Sequence, residues 1–185
     1  MEHADLVRYL AIALNDMGIP YAIVGGTASI FFGEPRFTND VDVVVDLPLE
    51  RVQEFCAKFP DSLFYVSVQA AMRAVMMRHQ FNIIQPESGL KVDVIIPSSL
   101  FDRQQFARRR IQRPGDFDAS FASPEDVILK KLEYFNEGHS EKHLRDITGI
   151  LKLCPDPIDR EYIVHWAQEL DLMEIWQAIL KRLES

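Results

Sequence analysis

The chain has 185 residues, 48% of them hydrophobic, which is enough to bury one good core with a small second lobe. A formal net charge of -8 and a pI near 5.1 exclude wholesale electrostatic attraction to nucleic acid or an anionic membrane, so any polyanion has to be met by a local basic patch. Cys56 and Cys154 have neither CxxC nor Cys/His spacing, the acid-punctuated start lacks a secretory layout, and no apolar run reaches ~18 residues, so a soluble protein of a reducing cytoplasm is expected.

Residues 4–17 space Leu6, Leu10, Ala13 and Met17 for an amphipathic helix that Gly18 and Pro20 end. YAIVG then reads as a strand, GGTASIFFGE as a helix of about two turns stopping at Gly33, and DVDVVVDL as a second strand. A helix is expected at 48–58, a short strand near 62–67 and a helix at 68–78. FNIIQ and KVDVIIP form a candidate hairpin through the turn-rich PESG. After Pro97 the run FDRQQFARRRIQRPGDFDASFA carries five arginines and a Pro-Gly-Asp turn. SPED next opens a helix, with Ser123 as N-cap and Asp126 in the first turn. Helices are expected at 124–137, 140–153, 159–169 and 171–183. The class is α/β (α+β), with a sheet-containing lobe over residues 1–115 and a helical lobe over 116–185.

The chemistry concentrates in DVDVVV. On a strand Asp40 and Asp42 share one face while Val41, Val43 and Val45 take the other. Carboxylates about 7 Å apart on a strand repel each other, and burying one unpaired costs several kcal/mol, about as much as a divalent cation would offset. Asp93 repeats the arrangement within KVDVIIP, and three carboxylates make an oxygen-only site suited to Mg²⁺ or Mn²⁺ rather than zinc. Upstream, Gly25 and Gly26 followed by Thr27 at a helix start present backbone N–H groups in the manner of a phosphate cradle. The bland alternatives are surface acids and a plain tight turn.

Taken together, GGT, DVD and KVD resemble the nucleotidyltransferases of the DNA polymerase β superfamily. GEPRFTNDVDVVV, FNIIQPESGLKVDVII, FARRR and SPEDVILKKLEYFNEGHSEKHLRDITGIL resemble, more narrowly, the abortive-infection toxin type of bacterial nucleotidyltransferase. The resemblance spans residues 20 to about 152 and implies a polymerase β-like sheet flanked by helices, with the helical lobe closing the cleft. It implies that Asp40 and Asp42 bind the metal and the nucleotide, and that Asp93 helps activate an acceptor hydroxyl. Gly25, Gly26 and Thr27 would hold the triphosphate, with Lys131, or its competitor Lys130, reaching it. Gly26 stands where many relatives have Ser. The activity implied is Mg²⁺-dependent transfer of NMP from an NTP to RNA, protein or a small molecule, either in a toxin with a cognate antitoxin or in a housekeeping or resistance enzyme. The alternative is a non-catalytic nucleotide-binding or toxin-neutralising module.

Other residues stay open between roles. Arg36 and Thr38 either anchor the loop into the DVD strand or contact substrate. Arg103, Arg108, Arg109, Arg110 and Arg113 are either a solvated face or a patch for triphosphate or RNA. His139, His143 and Asp146 have metal-compatible spacing only if one helix spans them, and His139 beside Gly138 fits a turn better. Arg145 and Asp146 fit a polar brace or part of the nucleotide cleft. Trp166 and Trp176 fit the core of the last helix pair.

Overall fold

The computed structural model describes residues 1–184, and the chain divides into two compact units. The first comprises Met1–Thr27 and Phe37–Ala122; the second comprises Ala28–Arg36 and the chain from Ser123 onward. The mixed α/β class agrees with the sequence reading.

The first unit opens with α1 (His3–Asp16), stopped by Gly18 in the left-handed region at φ +60°. Its successive turns bury Leu6, Leu10 and Leu14. β1 (Tyr21–Ile23) leads into α2 (Gly25–Phe32), whose residues from Ala28 onward belong to the second unit. The chain re-enters the first unit at Phe37 and forms β2 (Asp40–Val45). A 3-10 turn at Leu49–Arg51 precedes α3 (Val52–Ala57), followed by β3 (Tyr65–Val66) and α4 (Val68–Met77). Ser67 caps α4 by accepting from the N–H of Ala70 at 3.2 Å. β4 (Gln80–Gln85) and β5 (Leu90–Ile95) form the expected hairpin.

Three elements in the arginine-rich stretch have no counterpart in the sequence reading: α5 (Leu100–Ala107), β6 (Arg110–Gln112) and β7 (Ala119–Phe121). Ser99 and Asp102 cap α5 reciprocally, each side chain accepting the other's backbone N–H at 2.9 Å. β6 and β7 are three residues each and exist by pairing, since Ile111 is 76% exposed and no apolar alternation marks β6.

The strands make one sheet of order β3-β4-β5-β2-β1-β7-β6. β2 runs parallel to β5 and β1 parallel to β7; the remaining neighbours are antiparallel. Val41, Val43, Val92, Val94, Phe81 and Ile83 are buried on one side of the sheet. Phe55, Phe59, Phe64 and Tyr9 form an aromatic cluster with centroids 5.0–5.7 Å apart. Full burial of each such phenylalanine contributes about 1.5–3 kcal/mol.

In the second unit α6 (Pro124–Gly138), α7 (Glu141–Leu153), α8 (Arg160–Glu169) and α9 (Met173–Glu184) follow one another. Ser123 is the N-cap of α6 as its sequence implies, accepting from the Asp126 N–H at 3.2 Å and donating to its carboxylate at 2.6 Å. Asp126 also accepts from the Tyr162 hydroxyl at 2.7 Å, and Glu125 accepts from the Asp159 N–H at 3.0 Å. These two buried acids therefore tie the start of α8 to the start of α6. Trp176 is buried as expected, whereas Trp166 is half-buried.

Candidate active site

The register of β2 on β5 sets Asp42 against Asp93 and Asp40 against Lys91. In-register residues of neighbouring strands share a face about 4.8 Å apart. The three expected carboxylates thus stand on the side of the sheet opposite Val41, Val43, Val92 and Val94, and that open side keeps Asp40 50% exposed and Asp93 14% exposed. No group of three or more His, Cys, Asp or Glu suited to a metal is found among the described residues. What sits at the acids is a cation of the chain's own. Lys91 Nζ lies 3.0 Å from Asp93 Oδ2 and 3.8 Å from Asp40 Oδ1. Hydrogen bonding to Asp93, with the charges of Asp40 and Asp42 behind it, raises the Lys91 pKa above the ordinary lysine value. The other Asp93 oxygen accepts from Asn82, its cross-strand neighbour on β4.

Gly25 is shaped by Asp42. It has φ +60°, and a Cβ there would lie 1.8 Å from Asp42 Oδ2. The Gly26 N–H donates to the same oxygen at 3.3 Å. The glycine pair therefore seats an aspartate as well as opening a helix, a role its sequence does not disclose. Thr27 is buried, and its hydroxyl lies 3.5 Å from the Asp40 carbonyl and 3.2 Å from His3 Nε2. Thr38 donates to that carbonyl at 3.4 Å, and His3 approaches it at 3.4 Å. Three side chains thus pin the backbone where the DVD strand begins. Burial lowers the His3 pKa despite its contact with the Asp40 carbonyl.

The cations expected at the triphosphate are engaged within the second unit. Arg36 grips Asp146 with two bonds, Nε to Oδ1 at 2.7 Å and Nη2 to Oδ2 at 3.0 Å. Lys131 Nζ meets Asp146 Oδ2 at 2.9 Å, with both side chains about 5% exposed or less. Burial alone would raise the Asp146 carboxyl, but the Arg36 hydrogen bond and the Lys131 charge hold it below the ordinary range. Lys130 instead pairs with Glu133 one turn along α6 at 2.8 Å. His139 is the left-handed C-cap of α6 at φ 50°, and α7 begins only at Glu141, so no single helix spans His139, His143 and Asp146. His143 is pushed down to about 4 by burial and by the charges of Lys131 and Lys142.

The arginine run folds largely onto its own surroundings. Arg109 stacks on Phe106 at 4.5 Å and donates to its carbonyl at 2.9 Å, while Arg113 lies 3.9 Å from Asp118. Arg103 is exposed on α5, and Arg108 and Arg110 are half-buried. A pocket lined by Asn15, Tyr21, Arg109 and Ser120 lies at the Tyr21 end of β1, the end away from Gly25. Among the described residues, no helix is long and apolar enough to cross a membrane.

Lys91, Asn82 and His3 are absent from the residues singled out by sequence. Strand alternation places Lys91 two residues before Asp93 on the same face, a legible signal; His3 and Asn82 reach the site only through the fold.

Residues 8–171 match the family described as "Nucleotidyl transferase AbiEii toxin, Type IV TA system". A search of curated proteins finds no match. Among solved structures, an antigenic nucleotidyltransferase-like protein from Paracoccidioides brasiliensis is similar with TM-score 0.60 and 21% identity, over 96% of this chain and 91% of that one. The lincosamide antibiotic adenylyltransferase LnuA, bound to lincomycin, is similar with TM-score 0.56 and 17% identity, over 81% and 96%. A putative nucleotidyltransferase from Thermotoga maritima gives TM-score 0.51 and 13% identity, over 76% and 89%. At these identities the likeness is one of fold.

Proposed function

Since the chain belongs to the AbiEii nucleotidyltransferase toxin family, we propose that it moves an NMP group from an NTP to an acceptor hydroxyl and releases pyrophosphate. The observation that carries this reading is the register pairing Asp42 with Asp93 beside Asp40, with an ammonium lodged among them. Oxygen donors that already receive one cation fit Mg²⁺ or Mn²⁺. A divalent ion held by Asp40, Asp42 and Asp93 would supply charge neutralisation for the triphosphate and for the departing pyrophosphate.

The chain's own residues do the rest. Asp93 takes the proton of the acceptor hydroxyl, whose oxygen bonds to the α-phosphorus in line as the bond from that phosphorus to the bridging oxygen of the leaving pyrophosphate breaks. Gly25 leaves room for Asp42, and Gly26 holds the Asp42 carboxylate while its helix start offers N–H groups to phosphate. Thr27, Thr38 and His3 keep Asp40 in place.

Labelled NTP supplied with cell extract tests the reading. The wild type should transfer label and release pyrophosphate only with Mg²⁺ or Mn²⁺, and Asp42→Asn should lose both while melting within a few degrees of the wild type. Transfer retained by Asp42→Asn would overturn the assignment. The family's toxin–antitoxin description supports a cytoplasmic toxin with a cognate antitoxin, so expression should arrest growth, and Asp42→Asn should not. The label's destination identifies the acceptor as RNA, protein or small molecule.

A further inference from the structure

The Lys91 ammonium contacts the carboxylate face, and the transfer chemistry above gives it no task. Asp40, Asp42 and Asp93 bring three negative charges to two adjacent strands, where they repel one another. Lys91 Nζ meets two of them, Asp93 Oδ2 at 3.0 Å and Asp40 Oδ1 at 3.8 Å. Because Asn82 fills the other Asp93 oxygen, both oxygens of the candidate base are engaged by protein donors in this state. The Lys91 side chain is 35% exposed. Its compact ammonium rides on a flexible four-carbon stem and can swing into water without unpacking the sheet.

From this geometry we infer that Lys91 is a tethered counter-cation, which holds the carboxylate face together while it lacks a divalent ion and is displaced when one binds. The inference rests on the metal reading of Asp40, Asp42 and Asp93. Its consequence is a threshold. A divalent ion has to compete with an ammonium already on Asp93 and Asp40, so loading in the absence of nucleotide is weaker than the carboxylates alone would give. Displacement also takes the ammonium off Asp93, coupling readiness of the base to arrival of the metal.

Mn²⁺ binding, read from the electron paramagnetic resonance signal of the free ion in the absence of nucleotide, tests this on wild type, Lys91→Met, Lys91→Arg and Asp40→Asn. Lys91→Met should bind Mn²⁺ about tenfold more tightly than wild type, equivalent to about 1.4 kcal/mol. Lys91→Arg, which keeps the cation, should stay within about threefold of wild type, and Asp40→Asn should bind more weakly than either. A residue that merely props the site would give the opposite sign, a loss of affinity in Lys91→Met. Equal or weaker binding by a folded Lys91→Met, beside intact wild-type binding, overturns the inference and leaves the metal reading standing. No binding to wild type or to Lys91→Met overturns both.

A second measurement needs no variant. Acetylation of the Lys91 amine in the wild type, followed by mass spectrometry, should speed up several-fold when Mn²⁺ displaces the ammonium into solvent. An unchanged rate at saturating Mn²⁺ overturns the inference.

Discussion

Two charged clusters in this chain use the same side-chain chemistry to opposite ends. On the sheet face of the first unit, three carboxylates stand together with one ammonium on two of them, and Asp40 is half open to water. In the second unit one carboxylate, Asp146, holds both a guanidinium and an ammonium, and is almost fully buried. The first has negative charge in excess and a cation on a swinging stem, so its partner can be exchanged. The second joins one buried carboxylate to two cations, which fixes it in place. Burial with full pairing makes a cluster structural, whereas exposure with unequal charge leaves it available to a ligand.

Removing the shared anion should have the largest effect. Asp146→Ala leaves Arg36 and Lys131 without their carboxylate, a loss of about 3–5 kcal/mol on the scale of broken buried ion pairs. Urea unfolding should show this as a lower midpoint with unchanged slope. A loss under about 1 kcal/mol, the range of exposed pairs, would place this cluster in the exchangeable class instead. Gly25→Ala comes next. Its positive φ alone costs about 1–2 kcal/mol, and the added Cβ cannot coexist with Asp42 Oδ2 at 1.8 Å. Asp42 has to move, so transfer should fall at least about 100-fold, as displacement by an ångström typically costs. Near-normal turnover in Gly25→Ala would show that Asp42 tolerates misplacement.

The contrast also explains what the sequence could and could not disclose. Asp40, Asp42 and Asp93 were readable because strand alternation is local, and the KVD repeat pointed to a second strand of the same kind. That the two strands would be parallel neighbours with Asp42 opposite Asp93 is a property of the sheet, not of either segment. Gly25 and Gly26 read as a phosphate turn; their service to Asp42 depends on a contact 16 residues away in sequence. Lys131 was separable from Lys130 only once helix α6 was oriented, burying one and leaving the other beside Glu133. His3 meets the Asp40 backbone across 37 positions of sequence and left no pattern to find. The strands β6 and β7 lie in a stretch of arginines, aspartates and a Pro-Gly turn with no β-rich run to mark them; pairing alone defines them.

A smaller effect separates the clusters by pH. His143 lies in the field of Lys131, Lys142, Arg36 and Asp146, and burial with the nearby cations lowers its pKa from 6.5 to about 4. The unfolded chain therefore protonates this imidazole first. Its contribution to stability is complete above about pH 6.5 and falls away as the pH drops toward about 4. Asp146 has a depressed pKa of its own, so its contribution persists until still lower pH, once the carboxyl begins to protonate in the native state. The melting temperature should thus decline from pH 6.5 to 4.5 in the wild type and decline less in His143→Gln. An identical decline in both proteins would assign the acid sensitivity to groups elsewhere.

The smallest effect belongs to the neighbour that sequence could not distinguish. Lys130 pairs with Glu133 at 2.8 Å along α6, each side chain about a quarter exposed. Ion pairs of this spacing contribute about 0.3–0.5 kcal/mol, because both partners remain solvated and must be ordered to meet. Lys130→Ala should therefore lower stability by no more than about 0.5 kcal/mol. Lys131→Ala should cost more, since it strips a buried donor from Asp146 and leaves that carboxylate to Arg36 alone. Measured side by side in urea, the two alanine variants weigh burial against sequence adjacency. Equal losses would mean that the buried position of Lys131 confers no more than the surface pair one residue earlier.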